Sequence, residues 1–219
     1  MVENRAYKVM IVLALVLGVV GVTLGYAAFS NTLTINSAAE VTPDSSNFNV
    51  DFSSTDLSVA TNPVVATLTP NNVTGFTATN GTIDNTSDPT ITGLKATFTE
   101  PGQKATYSFY SYNAGQYIAY LNAITFNGTK TCTAITPQTG TAATQSLVNT
   151  ACNGITLNVT VGSESRTDQT VSNISGHSLG IGAAEEIIVE IEYATGSAIA
   201  DGDFEVTLPS IVLTYDSAD

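Results

Sequence analysis

Two hydrophobic patterns divide the chain. Residues 9–24 form an apolar run without a charge, whereas from residue 28 onward apolar and polar positions alternate with the period of a half-buried strand. Phe29, Leu33 and Ile35 fall on one face of that first strand, with Ser30, Thr32 and Thr34 on the other. Further strand-like runs follow at 48–52, 64–68, 73–79, 91–98, 106–112, 118–126, 155–161, 186–193 and 204–215. The clearest are Ile155, Leu157, Val159 and Val161, and Ile187, Val189, Ile191 and Tyr193. Turn signals stand between them at Pro101-Gly102, Asn113-Ala114-Gly115, Asn127-Gly128, Asn153-Gly154 and Asp201-Gly202, where Gly and Asn tolerate positive φ. Short strands separated by turns predict an all-β chain. The expected arrangement is a single Ig-like or jelly-roll-type β-sandwich over 37–219, preceded by a strand at 28–36. Residues 133–150, rich in Thr, Gln and Ala, read as a long insertion.

The apolar run follows Arg5 and Lys8 and ends at Gly25-Tyr26-Ala27, the layout of a signal peptide. Small residues at the first and third places predict cleavage between Ala27 and Ala28, which would remove residues 1–27. A helix over residues 9–29 would span roughly 30 Å, so retention as a hydrophobic membrane anchor is the competing reading. Either way the rest of the chain is expected outside the cytoplasm, secreted or at the cell surface. Membrane contact is then confined to residues 9–29 before cleavage.

The formal charge is −13, yet charged residues make up only 11% of the chain, so the acidity reflects scarce Lys and Arg. Beyond the signal region the bases are Lys95, Lys104, Lys130 and Arg166, scattered along the sequence. Without a clustered basic surface, neither nucleic acid nor an anionic membrane surface is an expected partner.

Cys132 and Cys152 bracket the insertion, and an even pair in an exported chain predicts a disulfide. Closing a loop of about 20 residues stabilises a fold by roughly 3 kcal/mol in the chain-entropy model.

No cofactor or catalytic group is expected. His177 is the one histidine and reads as an exposed turn residue, and no His-Glu-x-x-His or nucleophile-elbow pattern occurs. Glu185, Glu186, Glu190 and Glu192 read as a solvated outer face that protects a sheet edge, rather than as paired catalytic acids. Asp201, Asp203 and Glu205 are a weak calcium candidate without a full loop signature. Asn72, Asn80, Asn85, Asn127, Asn158 and Asn173 each begin an Asn-x-Ser/Thr sequon, a frequent accident in so Asn- and Thr-rich a chain.

Gly25-Tyr26-Ala27 followed by Ala28-Phe29-Ser30-Asn31 resembles the export region of the TasA/camelysin biofilm-fibre proteins, whose signals are cut by a SipW-type peptidase. Pro101-Gly102-Gln103, Tyr107-Ser108-Phe109 and Asn113-Ala114-Gly115 are similar to that family's turn, strand and Asn-x-Gly turn. The resemblance implies a signal peptidase as processing partner and a homopolymer, or a mixed polymer with related matrix subunits. It further implies that residues 28–36 leave their own subunit and complete a neighbour's sheet, with Phe29, Leu33 and Ile35 filling the groove. The competing reading is that this strand folds into its own sandwich. In function the chain is expected to be a secreted structural fibre subunit and not an enzyme. The alternative is a monomeric or membrane-anchored adhesin or carbohydrate-binding module presenting Tyr107, Tyr110, Tyr112, Tyr117 and Tyr120.

Overall fold

A computed structural model describes residues 30–35, 47–54, 63–69, 75–86, 89–136, 143–168 and 172–217. In chain order the strands are β1 (Ser30–Ile35), β2 (Val50–Ser53), β3 (Pro63–Val64), β4 (Ala66–Thr69), β5 (Thr77–Thr79), β6 (Gly81–Asp84), β7 (Thr90–Thr92), β8 (Lys95–Phe98), β9 (Lys104–Asn113), β10 (Ala119–Asn127) and β11 (Thr131–Ala134). Helix α1 (Gln145–Cys152) follows, then β12 (Ile155–Val161), β13 (Glu164–Thr167), β14 (Ser178–Leu179), β15 (Ala184–Tyr193), β16 (Phe204–Thr207) and β17 (Ser210–Asp216). The chain is mostly β, as its alternation predicts, with one short helix among the described residues.

The strands form three sheets. The first runs β14-β10-β17-β1-β7-β6-β3 and the second β13-β12-β15-β9-β2, with β4 also paired to β9. The third runs β11-β16-β8-β5. The third sheet continues the first: β5 leads into β6, β7 into β8, β10 into β11 and β16 into β17, each within a few residues. The reason lies in the sequence at the breaks. Gly93 at φ +83° interrupts the run expected over 91–98, and Pro209, with no N–H to donate, interrupts the run expected over 204–215.

The second sheet packs against this broken layer, giving a β-sandwich-like body with one shared core. Tyr193 on β15 meets Phe98 of β8 and Phe204 of β16 edge-on at 6.1 and 5.3 Å between ring centroids. Tyr107 on β9 donates its hydroxyl to the carbonyls of Lys95 and Thr79 at 2.7 and 2.9 Å. Ser111 of β9 and Tyr215 of β17 share a buried hydrogen bond at 3.0 Å. Every inward apolar position of β12, β17 and the Ile187–Tyr193 stretch of β15 is fully or nearly fully buried, which the strict alternation in those strands makes possible.

The expected insertion is not structureless. Residues 131–134 are strand β11 and 145–152 are α1, which buries Val148 and Ala151. The Cys132–Cys152 disulfide ties the helix to that strand, with Cα atoms 5.9 Å apart. Gln145 adds a second tie, donating to the Cys132 carbonyl at 2.9 Å and accepting from the Ala134 N–H at 3.0 Å. The helix thereby covers an edge strand that would otherwise offer bare backbone groups. A bond of this kind persists in an oxidising compartment.

Candidate functional site

Strand β1 occupies a distinctive position. On one side it pairs antiparallel with β17 through its whole length, from Ser30 opposite Asp216 to Ile35 opposite Ile211. On the other it pairs parallel with β7, through Thr34 and Ile35 opposite Thr90 and Ile91. Among the described pairings this is the parallel one, and every other neighbour pair is antiparallel. Within the first sheet two antiparallel halves, β14-β10-β17 and β7-β6-β3, are joined by β1, while their continuations β16 and β8 pair directly in the third sheet.

The register explains what suits this slot. Leu33 stands opposite Leu213, and Ile35 stands opposite Ile211 on one side and Ile91 on the other. Leu213, Ile211 and Ile91 are all fully buried. Directly opposed residues share a face, so the register sets positions 33 and 35 against buried apolar neighbours and positions 32 and 34 against Thr214 and Val212. Each ladder hydrogen bond contributes about 0.5–1.5 kcal/mol net. The competing expectation, that this strand completes its own sheet, is the arrangement adopted by the single chain. Ala27, Ala28 and Phe29, with the whole signal segment 1–27, lie outside the described residues.

The end of the sheet at Ser30 is organised by one side chain. Asn113, fully buried at the end of β9, donates through Nδ2 to the carbonyls of Tyr117 and Leu179 at 2.8 and 2.9 Å. Its Oδ1 accepts the Gly115 N–H at 3.0 Å. Its backbone N–H and carbonyl reach Ala183 and Gly182. The expected Asn-x-Gly turn is thus present, and its Asn additionally clamps the 114–118 loop to the 179–183 loop.

The remaining candidates are dispersed. Glu205 is held by Lys95 at 3.0 Å on the outer face of the third sheet. Asp203 lines a separate cleft of about 210 Å³ with Gly75, Thr77, Thr97, Ile135 and Thr136, and Asp201 sits in the preceding turn at φ +55°. Among the described residues no group of three or more acidic, His or Cys side chains converges as a metal site would require.

The tyrosines split between faces. Tyr107 is fully buried, while Tyr110 and Tyr112 lie on the outer face of β9 and Tyr117 is exposed in the following loop. Tyr107 is therefore a core residue and not a stacking platform. Burial also holds the phenols of Tyr107 and Tyr215 well above the usual range.

Two further expectations are corrected. His177 is not an exposed turn residue: its side chain is 8% exposed and Nε2 lies 2.6 Å from Glu185 Oε2. That hydrogen bond, with the further attraction of Glu185 and Glu164, raises the imidazole pKa. Nor does β15 protect an edge, because it runs between β12 and β9. Glu190 instead binds Lys104 across the β15–β9 pair. The signal that could have revealed the His177 pair is absent from local spacing, since its partner is on a strand whose parity turns Glu185 inward. Several sequon asparagines are used structurally: Asn85 pairs both ways with the backbone of Phe52, at 2.7 and 3.1 Å, and Asn158 accepts from Ser165 and Thr167 at 3.0 and 3.2 Å.

No protein-family model, no curated protein and no solved structure matches the chain.

Proposed function

We propose that the chain is a secreted structural protein, a subunit of a cell-surface or biofilm-matrix fibre in which β1 of one copy fills the slot of the next. The observation that carries this reading is the place of β1 inside the first sheet, paired with β17 on one side and with β7 on the other. A strand so placed can be supplied by the same chain or by an identical one, because the contacts made are the same in both cases. Exchange then costs association entropy and gains a polymer. Residues 36–46, between β1 and the next described segment, span at most about 39 Å when extended, enough to bring β1 to an adjoining subunit. The fold that accompanies this reading is a single Ig-like or jelly-roll-type sandwich. Cleavage before Ala28 is the trigger, since it frees the N-terminal end of β1 from the membrane.

The test is electron microscopy of the purified chain beginning at Ala28. The chain is expected to form filaments. Leu33→Asp, at a position opposite buried Leu213, is expected to abolish them, whereas Thr32→Asp, one residue away and opposite Thr214, keeps them. Filaments from Leu33→Asp, or none from the unmodified mature chain under any assembly condition, would overturn the proposal.

A further inference from the structure

The end of the body at which residues 1–29 join carries an apolar tip. Ser178, Tyr120, Asp216 and Ser30 stand in one rank across four adjacent strands, which places the start of β1 about 10 Å from the start of β10. Both β1 and β10 run antiparallel to β17, so the two strands begin at the same end of the sheet. Ile118 lies just past the Ala119–Leu179 pair on one strand and Ile181 just past it on the other. These residues are 44% and 61% exposed, among the most exposed large apolar side chains described. Asn113 holds their two loops together from beneath.

Charge is distributed to match. In a chain of net charge −13, residues 105–129 contain no Asp, Glu, Lys or Arg, and residues 169–184 contain none either. Among the described residues, Asp51 is buried and bonded by Asn49, Glu185 is paired with His177, Glu186 accepts from Ser108, and Asp216 accepts from Asn122 at 2.6 Å. Tyr112 and Tyr120 stand half-buried around the same end, the residue type enriched where protein meets the polar boundary of a bilayer.

We propose that, before cleavage, this tip rests in the interface of the bilayer that holds residues 9–24, with Ile118 and Ile181 inserted among the lipid headgroups. The occupant follows from chain continuity: β1 begins at Ser30 in the rank that ends beside Ile118 and Ile181, and the apolar run 9–24 stands five residues before that strand in the sequence. Contact of this kind needs no basic patch, because it draws on apolar burial and not on anionic lipid. The inference stands apart from strand exchange and requires only that residues 9–24 enter a bilayer. It gives cleavage a second consequence, since release of the segment also releases the tip.

The chain contains no tryptophan, so a single introduced indole reports its own surroundings. Ile118→Trp, Ile181→Trp and, at the opposite end of β10, Thr129→Trp are each introduced into the full chain and reconstituted in phosphatidylcholine vesicles with brominated acyl chains. The expected result is loss of most of the emission at positions 118 and 181 and none at 129, with no increase in quenching when anionic phosphatidylglycerol is added. Emission at 118 and 181 equal to that in unbrominated vesicles would overturn the proposal. So would equal quenching at 129, which marks general adsorption, or shielding of 118 without lipid quenching, which assigns the tip to a second copy. Failure of the full chain to float with vesicles removes the premise and overturns it as well.

Discussion

Replacing Asn113 by Ala tests whether one buried amide holds together the 114–118 and 179–183 loops. The substitution strips partners from the Tyr117 and Leu179 carbonyls, bonded at 2.8 and 2.9 Å. The Gly115 N–H is not orphaned, because it also bonds the Asn49 carbonyl at 3.0 Å. Leu179 is 3% exposed, but its carbonyl also faces Ala119 across the β10–β14 pair, so losing the Asn113 bond costs about 0.5–1.5 kcal/mol. Tyr117 is 44% exposed and water can replace the lost donor, leaving about 0.5–1.5 kcal/mol. The expected loss is about 1–3 kcal/mol in urea unfolding at pH 7. Asn113→Asp keeps the acceptor for Gly115 but sets a buried carboxylate against two carbonyl oxygens. It is expected to lose more than Ala at pH 7 and to recover part of that loss at pH 4, where the protonated acid can donate again. If Asn113→Ala unfolds at the wild-type midpoint, or Asn113→Asp is insensitive to pH, the clamp is not what joins these loops.

Joint replacement of Cys132 and Cys152 by Ala should lower stability by about 3 kcal/mol and raise amide exchange through α1, measured by urea unfolding and mass spectrometry. Unchanged exchange in the helix would show that Gln145 alone suffices to hold it. His177→Gln should destabilise more at pH 5.5 than at pH 8, by about 1.5–3 kcal/mol at the lower pH. The sign follows from the raised pKa: stabilisation is fully present below the unfolded imidazole value and is lost as pH rises through the folded one. A deficit independent of pH would mean that the pair acts through packing and not charge.

Period-two alternation made most of the fold legible, because a strand buried on one face must alternate. β12 begins and ends where Ile155 and Val161 predict. The breaks in the longer runs were also written in the chain, at Gly93 and Pro209, though their consequence, a layer divided into two sheets, required knowledge of which strands pair. β13 and β14 were illegible for a different reason: Glu164–Thr167 and Ser178–Leu179 carry little apolar pattern and are strands only because β12 and β10 offer them partners. At the candidate site, the alternation of Leu33 and Ile35 was local and readable. The position of β1 between two half-sheets was not, since it depends on Ile91 and Leu213, far away in sequence. The clamp by Asn113 was half legible: the turn follows from the Asn-x-Gly spacing, whereas the reach to Leu179 is a contact across 66 residues.

Occupation of one copy's slot by β1 of another is read directly by a disulfide trap. Thr32 stands opposite Thr214 across the β1–β17 pair. Chains carrying only Thr32→Cys and chains carrying only Thr214→Cys, each beginning at Ala28, are mixed, assembled under mild oxidation and analysed by non-reducing electrophoresis with peptide mass spectrometry. The account predicts cross-links joining position 32 of one chain to position 214 of another, in filaments and not in the monomer fraction. Filaments that form without that cross-link, while a chain carrying both substitutions closes on itself, would contradict it.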